Sequence, residues 1–231
     1  MSEYETMTPY RRERSRRSGR RARRRRLQAA LAGLLAVLTA AAGILLWQRF
    51  RPLPGEGVAV PEYVTENLLP VNRWSRPGTP LEEINGVVIH YVGNPGTTAE
   101  ANRNYFASLS SGQENTFASS HFIVGLEGEV LQCIPLTEIA YASKDRNGDT
   151  IAIEVCHPDD TGEFSKETYE QVIELTAWLC HTFKLNAETD VIRHYDVTGK
   201  ICPRYYVEYP EAWEQFLTDT GTAVGLLEAQ D

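Results

Sequence analysis

Arg193-His194-Tyr195-Asp196-Val197-Thr198-Gly199-Lys200-Ile201-Cys202-Pro203 is the stretch from which the rest of the chain is best read. It follows a short β-branched run, Val191-Ile192, so a strand is expected over Asp190–His194 with His194 at its end. Thr198-Gly199 supplies a turn that folds the chain back and brings Cys202 toward His194. Imidazole nitrogen and thiolate sulfur are both zinc ligands, and zinc takes about four donors in a tetrahedron. Two donors come from this segment, so a third must come from elsewhere.

Gly86-Val87-Val88-Ile89-His90 is a second β-branched run that ends in histidine. If the two strands are neighbours, both imidazoles leave the same edge of the sheet, and Cys202 completes a His90, His194, Cys202 set. Three protein ligands leave one position open, which is the catalytic rather than the structural zinc pattern. Zinc in such a site activates water and polarises a carbonyl. Amide hydrolysis then needs a general base and a positive group at the developing oxyanion. In Thr150–Cys156, Ile151, Ile153 and Val155 share one face and Glu154 takes the other, which suits Glu154 for the base. Lys200, two residues before Cys202, suits the oxyanion role. Spacing alone is a weak signal, since a lone strand-end histidine is more often a hydrogen-bonded structural residue than a ligand.

The remaining sequence sets the context. Residues 1–26 hold 11 of the 23 basic residues, and residues 49–231 carry 12 basic against 28 acidic, a formal net charge of −16. So acidic a domain is a poor nucleic-acid partner. Leu27–Trp47 is an uncharged, apolar 21-residue run, about 30 Å as a helix and long enough to span a hydrocarbon core. The arginines before it predict a cytoplasmic N-terminus with the remaining chain outside the cytoplasmic membrane. A cleaved signal peptide is the competing reading, with Ala40–Ala42 as the small residues at a cleavage site. The six prolines of residues 52–80 suggest a stalk of about 30 residues, roughly 100 Å extended. Boundaries are accordingly drawn at 1–26 (Arg-rich tail), 27–47 (signal anchor), 48–64 (stalk), 65–219 (folded domain) and 220–231 (flexible tail).

Within the domain, Thr97 to Glu100 reads as a capping box opening a helix that presents Ala101, Tyr105 and Leu109 at a spacing of four. His121–Val124 and Glu129–Ile134 flank a hairpin turn. Ser165 caps a long helix whose inward stripe is Tyr169, Val172, Ile173, Thr176, Cys180 and Phe183, and Pro210 opens a last helix. Interleaved strands and helices predict one α/β domain with a central mixed sheet flanked by helices, preceded by one transmembrane helix. Four cysteines would suit two disulfides in an exported protein, with Cys133–Cys156 the pairing to weigh, but Cys180 lies on an apolar helix face and Cys202 is wanted as a ligand.

Ile89-His90-Tyr91, Ser120-His121-Phe122-Ile123-Val124, Ile151-Ala152-Ile153-Glu154 and His194–Pro203, in that order, resemble the zinc-dependent N-acetylmuramoyl-L-alanine amidases, the family that includes phage lysozyme-type amidases and peptidoglycan recognition proteins. The resemblance implies that His90, His194 and Cys202 are the Zn2+ ligands and that Lys200 stabilises the transition state. It also makes Glu154 the base and peptidoglycan the substrate, cut at the amide joining N-acetylmuramic acid to L-alanine. One position departs: where some branches place a tyrosine near the zinc, this chain has Ser120, which moves the burden to Glu154. Relatives that lose a ligand bind peptidoglycan without cutting it, so a binding module is the rival reading. His121 and His157 are weighed as substrate contacts against structural hydrogen bonds, and Tyr91 and Asn94 as groove residues. The expected partners are peptidoglycan and a membrane through the one N-terminal helix, in a monomeric protein.

Overall fold

The computed structural model describes residues 9–230, and its chain divides into two units at Pro52/Leu53. The N-terminal unit is one helix, α1 (Pro9–Phe50). It begins well before the apolar run, because the arginine-rich segment is itself made of good helix formers. Within it, Arg23–Trp47 is long and apolar enough to cross a membrane. The first eight residues of the Arg-rich tail, and Asp231 of the expected C-terminal tail, lie outside the described residues.

The second unit is built on six strands, β1 (Val64–Glu66), β2 (Val87–Tyr91), β3 (Phe122–Val124), β4 (Val130–Gln132), β5 (Ile151–Val155) and β6 (Val191–Arg193), ordered β1-β4-β3-β5-β2-β6. Only β3 and β4 pair antiparallel, as the hairpin expected on either side of Gly125–Gly128; every other pair is parallel. The helices are α2 (Ala99–Ser108), α3 (Lys166–Phe183), α4 (His194–Thr198), α5 (Arg204–Glu208) and α6 (Pro210–Glu228). Alternation along the strands feeds two cores. Val87, Ile89, Ile151, Ile153 and Val155 meet Val172, Leu175 and Leu179 of α3 and Phe216 of α6. Ile123 joins Leu69, Phe106, Leu109 and Ile134 in the other. The mixed sheet flanked by helices is the architecture expected.

Local signals differ in detail. Ser165 caps α3 through its side-chain oxygen, which accepts from the Thr168 N–H. The buried stripe of α3 is wider than read, adding Leu175, Ala177 and Leu179, because α6 packs on the helix as well as the sheet does. The cap of α2 is Thr98 rather than Thr97, which instead donates to the Asn94 carbonyl. The buried residues of α2 are Ala99, Asn102 and Phe106, while Ala101 and Tyr105 are exposed.

Two larger corrections follow. Residues 53–64 are not a free stalk: Val58, Val60 and Tyr63 pack against the core, and β1 adds the sheet's edge strand. Apolar residues between the prolines make this possible. Residues 220–230 are not a loose tail, since α6 runs to Glu228 with Thr220 buried and Ala223 and Val224 against the core. The cysteines settle an alternative rather than overturning a reading: all four are buried free thiols, so the Cys133–Cys156 pairing is not formed.

Gly55 tests the packed segment. Its φ is +74°, and a Cβ there would stand 2.7 Å from Leu136 Cβ and 2.8 Å from Leu136 O. Gly55→Ala should cost more than about 1 kcal/mol in urea unfolding, whereas an undocked stalk would tolerate it with no change in midpoint.

Candidate metal centre

The site is assembled by sheet register. Three neighbouring parallel strands carry it, with β2 between β5 and β6. His90 stands directly beside Glu154 across the β2–β5 ladder, and Ile89 beside Arg193 across β2–β6. Residues opposite each other in register point to the same face, so His90 and Glu154 share one side.

His194 is not the end of a strand but the first residue of α4. Arg193 and Asp196 fix this turn. The Arg193 backbone N–H donates to Asp196 Oδ2 at 2.9 Å, and its guanidinium donates to both carboxylate oxygens at 3.1 and 2.8 Å. Gly199 ends α4 in the left-handed region, φ +74°. The chain then reverses, and the Tyr195 N–H donates to the Cys202 carbonyl at 2.9 Å. This is the return that the Thr-Gly turn predicted.

His90, His194 and Cys202 come together: their donor atoms lie within 4.8 Å of one another, and all three residues are buried. His90 Nδ1 is 4.0 Å from Cys202 Sγ and 4.0 Å from a Glu154 carboxylate oxygen. The other ring nitrogen, Nε2, is 3.1 Å from Ser143 Oγ. A His90 that offers Nδ1 to a metal therefore donates its Nε2–H to Ser143, an outer partner of the kind that fixes tautomer and ring orientation. His194 Nδ1 is buried without a hydrogen-bond partner, as is Glu154 Oε2.

The electrostatics follow from burial. It holds the His90 imidazole well below its usual range, helped by His194 and Lys200. It pushes His194 down to about 4, with Lys200 and Lys144 contributing. Both rings are thus neutral and able to ligate. Burial, then Glu154, push the Cys202 thiol up to about 12, against the Tyr91 backbone and Lys200. Metal binding would release that proton. Burial also raises the Glu154 carboxyl to about 8, with Lys200 opposing.

Other expectations resolve differently. His121 is structural: its Nδ1 accepts from the Ala152 N–H at 3.0 Å and its Nε2 lies 2.9 Å from the Glu138 carbonyl, so both ring nitrogens are engaged. His157 is buried with ring nitrogens 2.6 Å from the carbonyls of Asp159 and Val92. The Ser120 hydroxyl donates to the Phe122 carbonyl at 2.8 Å and is fully buried. Asn94 is exposed and Tyr91 half-buried, its ring 5.0 Å from that of His157. Ser143, Lys144 and Asn147, which no motif in the sequence singled out, belong to the site: Ser143 meets His90, and the other two line the cleft. Nothing in their spacing announces it, since a 3₁₀ turn brings them in.

A cleft of about 680 Å³ opens beside His194 and Lys200. The model of the family described as N-acetylmuramoyl-L-alanine amidase matches residues 80–205, which include all five candidate residues. The chain belongs to the N-acetylmuramoyl-L-alanine amidase family. It is 31% identical over 172 residues to the N-acetylmuramoyl-L-alanine amidase BlyA of Bacillus subtilis strain 168, covering 66% of this chain and 45% of that one. It is 34% identical over 156 residues to the amidase CwlL of Bacillus licheniformis, covering 62% and 42%. Its fold matches a mutant endolysin from Bacillus subtilis with TM-score 0.58 and 26% identity, over 68% of this chain and 98% of that one. The chain spans less than half the length of these curated relatives. The family is zinc-dependent in general, and the donor set fits: two neutral imidazoles, one thiol and an orphaned buried nitrogen on His194.

Glu154 gives a pH test in the metal-free chain. Its folded pKa is about 8 against an ordinary 4.5. Its contribution to stability is therefore complete below about pH 4.5 and is lost as pH rises through about 8. Melting curves of wild type and Glu154→Gln should diverge between pH 5 and pH 9, with wild type losing ground. Parallel curves would place the carboxyl in a more solvated setting.

Proposed function

We propose that this chain is a zinc-dependent amidase that hydrolyses the bond between N-acetylmuramic acid and L-alanine in peptidoglycan. The observation that carries the reading is the convergence of His90, His194 and Cys202 with Glu154 in register beside His90. A single turn supplies two of the three donors, and the strand next to it supplies the third.

In this reading His90, through Nδ1, and His194 and Cys202 hold the zinc. The bound metal supplies Lewis-acid polarisation and a more acidic water. Glu154 takes a proton from the attacking water and delivers it to the departing alanine nitrogen. Burial favours the protonated form of its carboxyl in the metal-free protein, which suits a group that must hold a proton between the two steps. Lys200 places a fixed positive charge at the cleft wall for the oxyanion. Ser143 keeps His90 in the ligating tautomer. With the Ser120 hydroxyl already donated to a backbone carbonyl, no tyrosine-like assistance comes from that position.

We further propose that α1 anchors the protein through its Arg23–Trp47 segment, with the arginines on the cytoplasmic side and the amidase domain outside. The exposed apolar side chains of that segment, Leu31 and Leu35 among them, support the reading. Charge supports it too, since the domain is too acidic to be held by anionic polymers.

Full-length protein in detergent, incubated with isolated sacculi, should release new alanine amino termini, and a zinc chelator should stop the release. Protein that pellets on sacculi without exposing amines would replace this reading with a binding module. Cys202→Ala should lose most bound zinc by elemental analysis together with most activity. Glu154→Ala should keep its zinc and lose about 100-fold or more in rate; a normal rate would assign the base elsewhere.

A further inference from the structure

The cleft beside His194 is charged oppositely to the domain that holds it. Phe117, Tyr141, Lys144, Asn147, His194 and Lys200 are among its walls, and no Asp or Glu lines it. The whole chain has only four lysines, at 144, 166, 184 and 200, and two of them face this one cleft. The surrounding residues 49–231 carry 28 acidic side chains against 12 basic. Lys200 is accounted for by the reacting carbonyl. Lys144 is not, and among the described residues no carboxylate forms an ion pair with it.

The backbone holds Lys144 in an unusual conformation. Its φ is +47°, in the left-handed region, where a side chain costs roughly 1 kcal/mol or more. The turn that imposes this is tied from both sides. Asn147 Oδ1 accepts from the Ala142 and Ser143 N–H groups at 3.1 and 2.6 Å, and the Asn147 N–H donates to the Lys144 carbonyl at 3.0 Å. Ser143, the preceding residue, is the one that meets His90 Nε2. The backbone of Lys144, an exposed residue, is thus set by a turn tied to the candidate ligand His90 through Ser143, and its side chain lines the same cleft as His194. Of the three candidate ligands it is His194 that its charge acts on, adding to burial and Lys200 in lowering that imidazole. Phe117 and Tyr141, rings 5.3 Å apart and edge-on, form an apolar wall of the same cleft. Such a wall displaces water and strengthens a charge pair made against it.

An ammonium that lines the same cleft as His194, with no carboxylate paired to it among the described residues, fits an anion on the substrate. We propose that Lys144 is a specificity residue that pairs with a free carboxylate on the peptide following L-alanine, so that the cleft selects acidic stem peptides over their amidated forms. This rests on the amidase reading above.

The test uses full-length, zinc-loaded protein and two synthetic N-acetylmuramoyl peptides that differ only in whether the residue after L-alanine carries a free carboxylate or a carboxamide. Wild type should favour the carboxylate by about 10-fold or more in kcat/KM, as loss of a charge-assisted hydrogen bond predicts. The difference should lie mainly in KM. Lys144→Gln should bring the ratio of the two substrates close to one, and Lys144→Arg should keep the preference. Because each variant is read as a ratio on one preparation, partial misfolding does not imitate the result. Equal cleavage of both peptides by wild type, or a ratio unmoved by Lys144→Gln, overturns the assignment while the amidase reading stands. Cleavage of neither peptide by wild type overturns the amidase reading, and this inference with it.

Discussion

Everything at the site depends on the register of three parallel strands. Because β2 lies between β5 and β6, with His90 level with Glu154 and Ile89 level with Arg193, a ligand and the candidate base meet at one sheet edge and the second ligand follows one residue on. A slip of one residue would turn His90 or Glu154 to the opposite face. Val87, Ile89, Ile151 and Ile153 are all fully buried, on the face that packs against α3 and α6. The apolar core on one side of the sheet thereby sets the polar chemistry on the other.

The same burial prepares the polar groups. Two imidazoles held neutral, a thiol held protonated and a carboxyl raised to about 8 are four outcomes of one cause, removal from water. A buried group without a partner is costly. The site concentrates that cost where a cation would relieve it, at His194 Nδ1. His121 shows the contrast within the same domain. It is equally buried, but the Ala152 N–H and the Glu138 carbonyl occupy both its nitrogens, so it has nothing left to offer a metal or a substrate.

Much of this was legible in the residues themselves. The β-branched runs ending at His90 and around Glu154, the Gly125–Gly128 turn and the Ser165 cap are local signals, and each element formed where its own side chains dictate. The Thr198-Gly199 reversal is also local, since only a left-handed residue at 199 returns Cys202 to Tyr195. What escaped the reading is non-local. Ser143, Lys144 and Asn147 enter the site because a hydrogen-bonded turn places them against strands far away in sequence, and no periodicity marks such a turn. Prolines misled over residues 53–64, where they signal an irregular path rather than an undocked one. The α2 register was missed because adjacent threonines, 97 and 98, compete for one cap, and Thr97 is engaged with Asn94.

The docking of residues 53–64 onto the sheet also sets a length scale. Only Arg51 and Pro52 lie between α1 and Leu53, a connector of about 7 Å when fully extended. In a membrane-anchored chain, so short a leash turns a search through the volume of the wall into one over a thin layer at the bilayer surface. Were that chain an amidase as proposed, bonds within the layer would meet its site at a high effective concentration, and bonds beyond it would meet it far less. With the chain anchored as proposed, the prolines that suggested a long arm would lie in a segment already packed on the folded domain and would add nothing to its reach.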